Sequence, residues 1–477
     1  MSAKTINRRR LLGGMVVAPL VMRVAWAQTL EPLALRLARL FHATKFSGVP
    51  AQASKYSKII LASTLASAAA GSKYESARIV RDLAKQQGGT AEATIWFDGA
   101  RLPLVAAGRV NAMLSDAAAS DDSDLRNVAH TGTTLAALGL AIGEHANATP
   151  QDVLCAMATG YEAAGRFGEA WRGGRGGLHA SMVVAFGGVV AASKLLGLTA
   201  QQMAHAINMT SVTMGGLMLG TDSWAREYQA GNAAQCALNA ALAARRGFTV
   251  NDDMLEAKGG FLEVYGNPKT DLQRMTRPMG PDWDITKFLA IKLVPGAHAL
   301  HSSMEAAVNA AKQGDVKPEN VAKIIVSGPG KTSVTYQNRP PKDMVEAIHS
   351  LAYFVASGVA DRDFSWANVT PEKIHNPVAM RLMSLIEYEE PAPSMHYDWN
   401  WGGTVTIVTK SGERFSSTVD APRGSGPRGI DWPEIETKYH ALMPESGLPA
   451  KRIDEILKTI REFEQIGQVS RLTKMLH

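Results

Sequence analysis

Apolar residues recur three and four apart through several long stretches of the chain. LEPLALRLARLFHA from Leu30, ASKYSKIILASTLASAAAG from Ala53, TPQDVLCAMATGYEAAGRFG from Thr149 and AAQCALNAALAARRGFT from Ala233 all follow this spacing. It is the period of an α-helix face. In many of these stretches Ala, Gly and Ser fill the other faces too, so the helices belong inside a multi-layer helical core. The ends are marked as well. Thr149 followed by Pro150 makes an N-cap with proline at the first helical position, and Gly247 after Arg245 and Arg246 makes a stop.

Near residue 275 the texture changes. VAKIIVSGPG from Val321 and GTVTIVTKSGERFSSTVD from Gly403 alternate and are rich in β-branched residues, with glycine turns. Helical stretches lie between them, PKDMVEAIHSLAYFVASGVA and NPVAMRLMSLIE. Two more helices, DWPEIETKYHAL and PAKRIDEILKTIREFEQI, close the chain. The pattern predicts a mostly α protein: an all-helical domain over 28–274, an α+β domain over 275–425, and C-terminal helices over 426–477 that rejoin the first domain. The length suits one large domain with a smaller one.

The first 27 residues stand apart. A basic start precedes an apolar run from Leu11 to about Met22, and Ala25-Trp26-Ala27 forms a cleavage-type ending. The run is too short for a bilayer span of about 20 residues, so the layout is that of an export signal. Arg8-Arg9, followed by Arg10-Leu11-Leu12, resembles the twin-arginine signal, with Asn7 and Leu11 as mild departures. The alternatives are an ordinary Sec signal or an uncleaved anchor. The expectation is periplasmic delivery by the twin-arginine machinery and no stable membrane association after cleavage.

The signal also changes what the charge means. The whole chain carries a formal +6, but residues 1–27 hold five basic residues and no acid, leaving 45 basic against 44 acidic. A near-neutral mature chain does not support nucleic-acid binding. The remaining composition, 46% hydrophobic, is that of an ordinary soluble core. Two cysteines, Cys155 and Cys236, are too few for a cluster held by three thiolates and lack zinc spacing, and their Ala-rich surroundings predict buried free thiols. Any chemistry is expected to run on protein side chains alone. GPGKT from Gly328 looks like the tail of a phosphate-binding loop, but the glycine needed at 325 is Ile325, so a strand-to-turn connection is the better reading.

Several segments, in order, resemble the MmgE/PrpD family, which includes 2-methylcitrate dehydratases, cis-aconitate decarboxylases and an epimerase. They are GGTAEATIWFDGARLPLVAAGRVNAML, GYEAAGRFG, GLHAS, FGGVVAASKLLGLTAQQMAHAI and DAPRGSGPRGIDWPEIETKYHAL. The resemblance covers nearly all of the chain beyond the signal. It implies a large all-helical domain built from both chain ends, a smaller α+β lid, a site between them, a homodimer and cofactor-free chemistry. The substrate class it implies is a small di- or tricarboxylate that undergoes dehydration first of all, with decarboxylation and epimerisation close behind.

Such chemistry needs a group titrating near neutrality, cations for the carboxylates and shelter from water. His130 and His179 match the family's two site histidines and are candidate acid and base, the site reading being preferred to a structural one because both lie beside glycine or a helix start. The loop RGGRGGLHAS before His179 adds Arg172 and Arg175 and can bring backbone amides to an anion, or can be a mere link. Lys292 in IKLVPGAHALHS matches the family lysine. Gly296 replaces the family cysteine, and His301 and, less directly, His298 follow as carboxylate-facing candidates. In SWAREYQAG the family lysine position holds Arg226 and the histidine position Gln229. The arginine keeps anion binding, while proton donation is largely lost there. Tyr353, in HSLAY, matches a lid tyrosine that faces substrate and assists the leaving group.

The charge-dense segment SDDSDLRNVAHTG, 120–132, matches a carboxylate-rich family loop that leads to the histidine. Asp121 and Asp122 correspond to its acid pair, but the family's leading aspartate falls on Ala119; Asp116, Asp121 or Asp122 are candidates to replace it. Asp124 and Arg126 read as a solvated loop face. The rival to an enzyme is a periplasmic carboxylate-binding protein that has lost catalysis on the same scaffold.

Overall fold

The Thr149 start behaves as its residue types dictate. The Thr149 side chain accepts from the Asp152 amide at 3.1 Å while the Asp152 carboxylate accepts from the Thr149 amide at 3.3 Å, a reciprocal capping box that opens a helix running to Glu169. The computed structural model describes residues 31–170, 177–266, 270–328, 339–389 and 401–477. The export segment 1–27, Arg172 and Arg175, and GPGKT beyond Gly328 lie outside the described residues.

The helical part comprises α1 (Leu33–Ala43), α2 (Ala51–Gly71), α3 (Glu75–Gln87), α4 (Leu104–Ala117), α5 (Thr131–His145), α6 (Pro150–Glu169), α7 (Ser181–Leu195), α8 (Ala200–Thr213) and α9 (Ala225–Arg245). Nearly every residue of α5 and α7 is buried, so these two form the inner layer that the small-residue texture requires. Glycine lets the layers close. A Cβ on Gly187 would sit 2.6 Å from the Gly160 carbonyl oxygen, so α6 and α7 touch backbone to backbone. Gly247 ends α9 in a positive-φ turn (φ 91°).

The lid is built on a four-stranded sheet. Its strands are β3 (Val321–Ser327), β4 (Ile386–Glu389), β5 (Gly403–Thr409) and β6 (Arg414–Val419), in the order β4-β3-β5-β6, with only the β3–β4 pair parallel. Two preceding short strands, β1 (Asp122–Asp124) and β2 (Leu289–Ile291), pair antiparallel away from that sheet. Helices α10 (His301–Gln313) and α11 (Leu351–Asp361) bury Met304, Val308 and Val355 in one core with Ile324 and Ile407. The stretch 341–360 does not form one helix. Met344–Ala347 makes a short turn of helix, and Ser350 then caps α11 by accepting from the Tyr353 amide.

The last long helices, α12 (Trp432–Leu442) and α13 (Ala450–Arg461), add Ile435, Tyr439, Ile456 and Ile460 to the first core, which also holds Leu37, Leu65 and Phe186. The molecule is therefore mostly α. One core draws on both ends of the described chain and takes in Leu289 and Ile291 of β2, and a second lies in the lid. Cys155 and Cys236 are free thiols, the first buried and the second only half-buried. No helix among the described residues is long and apolar enough to cross a membrane.

Candidate active site

The end of α4 begins the site. After Ala117 the chain turns through Ala119 at φ 49°, a conformation unusual for alanine, and runs into β1. β1 pairs with β2 so that Asp122 faces Ile291. Beyond the strands the two segments stay zipped: the Lys292 amide donates to the Asp121 carbonyl at 3.2 Å and the Gly296 amide to the Ala119 carbonyl at 3.2 Å. This register sets Lys292 against Asp121, and its ammonium reaches Asp121 Oδ1 at 2.7 Å. Both residues are buried.

The other oxygen of Asp121 lies 2.5 Å from His130 Nδ1, which donates its hydrogen bond to the Asp122 carbonyl at 2.7 Å. Both neighbours are acceptors, so Nδ1 carries a proton and Nε2 is the atom left to react. His130 immediately precedes α5, and its side chain is 16% exposed where it meets a cavity of about 360 Å³. Burial works against the imidazolium, but the Asp121 carboxylate overcomes it and raises the His130 pKa above the ordinary value. Burial likewise opposes the Asp121 charge, yet His130 and Lys292 hold it well below the usual carboxylate range.

Arg226 lines the same cavity from the first turn of α9. Its Nε donates to Asp116 Oδ2 at 3.1 Å, and its Nη2 to the Asp116 and Ala117 carbonyls at 3.0 and 2.9 Å, closing the C-terminal end of α4. Nη1 makes no hydrogen bond among the described residues. Asp116 is thus the partner of Arg226 and does not stand in for the acid absent at Ala119.

His179 borders the cavity where its loop is stitched to Gly216 by a 3.1 Å backbone bond. Its Nδ1 accepts from the Ser181 amide at 3.2 Å, which places the proton of the neutral ring on Nε2. His298 faces the cavity too, packed edge-on against Trp401. Neither of its ring nitrogens has a hydrogen-bond partner among the described residues. Burial, then His301 and Lys292, push its pKa well down, so it presents a neutral ring with a donor and an acceptor still to satisfy. Val128, Met218 and Leu300 are apolar members of the cavity lining.

Other expected residues fall elsewhere. Tyr353 is buried in the lid core and its hydroxyl donates to the Asn368 carbonyl; it does not line the cavity, because α11 turns that face toward Asn368. Gln229 sits one turn after Arg226 beneath Gly216, where a Cβ would approach its Oε1 to 2.4 Å, so it supports the loop rather than facing the cavity. His301 lies behind His298, with ring centres 4.7 Å apart and its pKa pushed down to about 3 by burial and Lys292. Asp122 points away, toward the start of α5, accepting from the Gly132 amide at 2.8 Å. Its Oδ2 is buried without a hydrogen-bond partner among the described residues, and burial together with Asp121 pushes its pKa up to about 7.

Asp124 and Arg126 are not a solvated face. Arg126 reaches Asp124 at 2.6 Å, Asp284 at 2.9 Å and Glu169 at 2.9 Å, with side-chain exposures of 4% and 1% for Arg126 and Asp124. Its guanidinium also stacks 3.8 Å over the Phe288 ring. Their partners come from distant segments that cover the loop.

Sequence reasoning pointed to neither His349, which lines the cavity, nor Lys438, which does not. His349 borders the cavity, with Nδ1 donating to the Val345 carbonyl at 2.8 Å and its pKa pushed down to about 4 by burial and Arg226. Lys438 of α12 approaches from behind Asp121; burial draws its pKa down to about 7. The spacing Ile435, Lys438, Tyr439, Leu442 puts this lysine on the buried face of its helix, a signal present in the sequence.

A mostly helical domain and an α+β lid thus bring histidines, a lysine and an arginine to one cavity. The family comparisons match residues 35–273 to the MmgE/PrpD N-terminal domain and 295–462 to the MmgE/PrpD C-terminal domain. The chain belongs to the MmgE/PrpD family. Among curated relatives it is 24% identical to the cis-aconitate decarboxylase of Homo sapiens over 465 residues, 94% of this chain and 95% of that enzyme. It is 25% identical to the cis-aconitate decarboxylase of Aspergillus terreus (strain NIH 2624 / FGSC A1156) over 351 residues, 68% of this chain and 70% of the relative.

Proposed function

We propose that this protein is a cofactor-independent lyase that decarboxylates a small di- or tricarboxylate, with His130 as the proton donor. The observation that carries the reading is the seating of His130. Asp121 and the Asp122 carbonyl hold Nδ1 and keep the imidazolium favoured, while Nε2 remains for the cavity. An imidazolium is the form that gives a proton, which suits decarboxylation better than dehydration, where the first need is a base.

In this reading Arg226 Nη1 and Lys292 hold a carboxylate that stays. The carboxylate that leaves lies against Val128, Met218 and Leu300, apolar side chains of the cavity lining beside which a neutral product is favoured over a charged one. The carbon–carbon bond breaks, CO2 departs, and its electron pair remains on the substrate carbon. His130 Nε2–H protonates that carbon, and the neutral imidazole then regains a proton from water. Asp121 stabilises the imidazolium throughout. Tyr353 and His301, the two residues expected to assist a leaving hydroxyl, both lie off the cavity lining, which also favours this choice. The names of both relatives support the same reaction class.

The test is a panel of cis-aconitate, citrate, methylcitrate and an aminodicarboxylate, each incubated with protein lacking residues 1–27 and followed by NMR. CO2 release from one of them supports the reading, and absence of turnover on all of them overturns it. Thermal stabilisation by a ligand without turnover assigns a carboxylate-binding role instead, a role favoured by the alanine at position 119.

We propose further that residues 1–27 direct twin-arginine export to the periplasm, and that the mature chain is a homodimer. In support of the second, Val212, Leu217, Leu219, Trp224 and Tyr228 expose apolar surface around the end of α8 and the start of α9. Cell fractionation and sedimentation of the mature chain test the two statements separately.

A further inference from the structure

The turn that carries Asp121 is held from a third direction. Lys438 of α12, 2% exposed, donates to the Ser63 hydroxyl of α2 at 2.7 Å and to the Ser120 carbonyl. Both acceptors are neutral, and no acid lies within ion-pair distance of the ammonium among the described residues. The charged groups that act on it are Asp121 and Asp122 from the β1 loop and Lys292 from the strand extension opposite. A buried ammonium without a salt-bridge partner is costly to keep, so its two hydrogen bonds matter. One of them ends on the peptide that joins Ser120 to Asp121. The Asp121 carboxylate, in turn, is the group that meets Lys292 on one oxygen and His130 on the other.

We propose that Lys438 is a positioning residue for the Asp121–His130 pair. From the C-terminal end of the chain its ammonium grips the Ser120 carbonyl and fixes the peptide that aims Asp121 at His130. Lys292, directly after β2, secures the carboxylate and Lys438, on α12, secures the backbone. The acid that raises the His130 pKa is therefore held by two lysines from distant segments of the chain. This proposal rests on His130 as the proton donor, but it can be tested without a substrate.

The experiment is an NMR titration of His130 in the full mature protein labelled at histidine, with the signal assigned by its loss in H130Q. Lys438→Met is compared with wild type and with Lys438→Arg. If Lys438 positions Asp121, the His130 pKa falls in K438M by roughly one unit toward the ordinary imidazole value, and K438R restores part of the shift. Simple removal of a nearby positive charge would move it the other way, upward. An unchanged or raised His130 pKa in K438M overturns the proposal, whatever the loss in melting temperature. If K438M does not fold, Ser63→Ala keeps the lysine and removes one of its two acceptors; a smaller fall is expected, and no fall overturns the proposal. Turnover of a carboxylate alongside an unshifted His130 would sink this inference alone, whereas a shifted His130 in a protein inactive on every carboxylate would sink only the proposed reaction.

Discussion

Lys292 and Asp121, 171 residues apart in sequence, meet at 2.7 Å with side-chain exposures of 4% and 1%. Neither has water to fall back on, so removing one partner leaves a buried charge. Lys292→Met is expected to lower stability by about 3–5 kcal/mol, measured by urea unfolding. The pH sign follows from Asp121. Its folded pKa lies below the unfolded value, so its contribution is present above about pH 3.9 and is lost as pH falls through the lower folded value. Because Lys292 is one of the two cations that depress it, the acid-unfolding midpoint of K292M should move up.

Asp122 gives the opposite sign. Its carboxyl is pushed up to about 7, so the folded state keeps a proton that the unfolded chain releases above about pH 3.9. The cost grows as pH rises from there to about 7 and is complete above it. Asp122→Asn keeps an oxygen for the Gly132 amide and removes the titration. It should stabilise the protein by roughly 1–4 kcal/mol at pH 8 and by almost nothing at pH 4, read from melting curves at the two values.

Tyr353→Phe separates the position observed from the one expected. The hydroxyl donates to the Asn368 carbonyl inside the lid, so its loss should cost about 1 kcal/mol of stability and leave kcat/KM within about twofold. A large loss of kcat without loss of stability would return the tyrosine to the site.

Much of the architecture was legible because its signals are local. The Thr149 cap, the stop at Gly247 and the hairpin from Gly403 to Val419 each follow from residues within one turn or one strand. The site was legible in part, through His130, His179, Lys292, Arg226 and His298, all of which border one cavity. Other residues depended on partners far along the chain. Nothing near Asp124 and Arg126 announces Asp284 or Glu169, so a buried network read as a wet loop. Tyr353 lies on a helix buried on nearly every face, where periodicity carries no direction. Lys438 did leave a mark, as a cation on an apolar helix face.

Arg226→Lys tests how the cavity holds an anion. A lysine cannot keep the bonds to Asp116 and Ala117 and also offer a second edge, as the guanidinium does. The expected result is a KM raised about 10- to 100-fold, equivalent to about 1.4–2.8 kcal/mol, with kcat changed much less. Steady-state kinetics on whichever carboxylate is turned over measures it. An equal fall in kcat with KM unchanged would instead give Arg226 a role in the transition state alone.

The most direct measurement follows the proton that His130 is held to deliver. Turnover in D2O should place one deuterium on the carbon that loses its carboxylate, and His130→Gln should slow CO2 release by at least about 100-fold while ligand binding persists. Release of CO2 by H130Q at the wild-type rate would contradict the account.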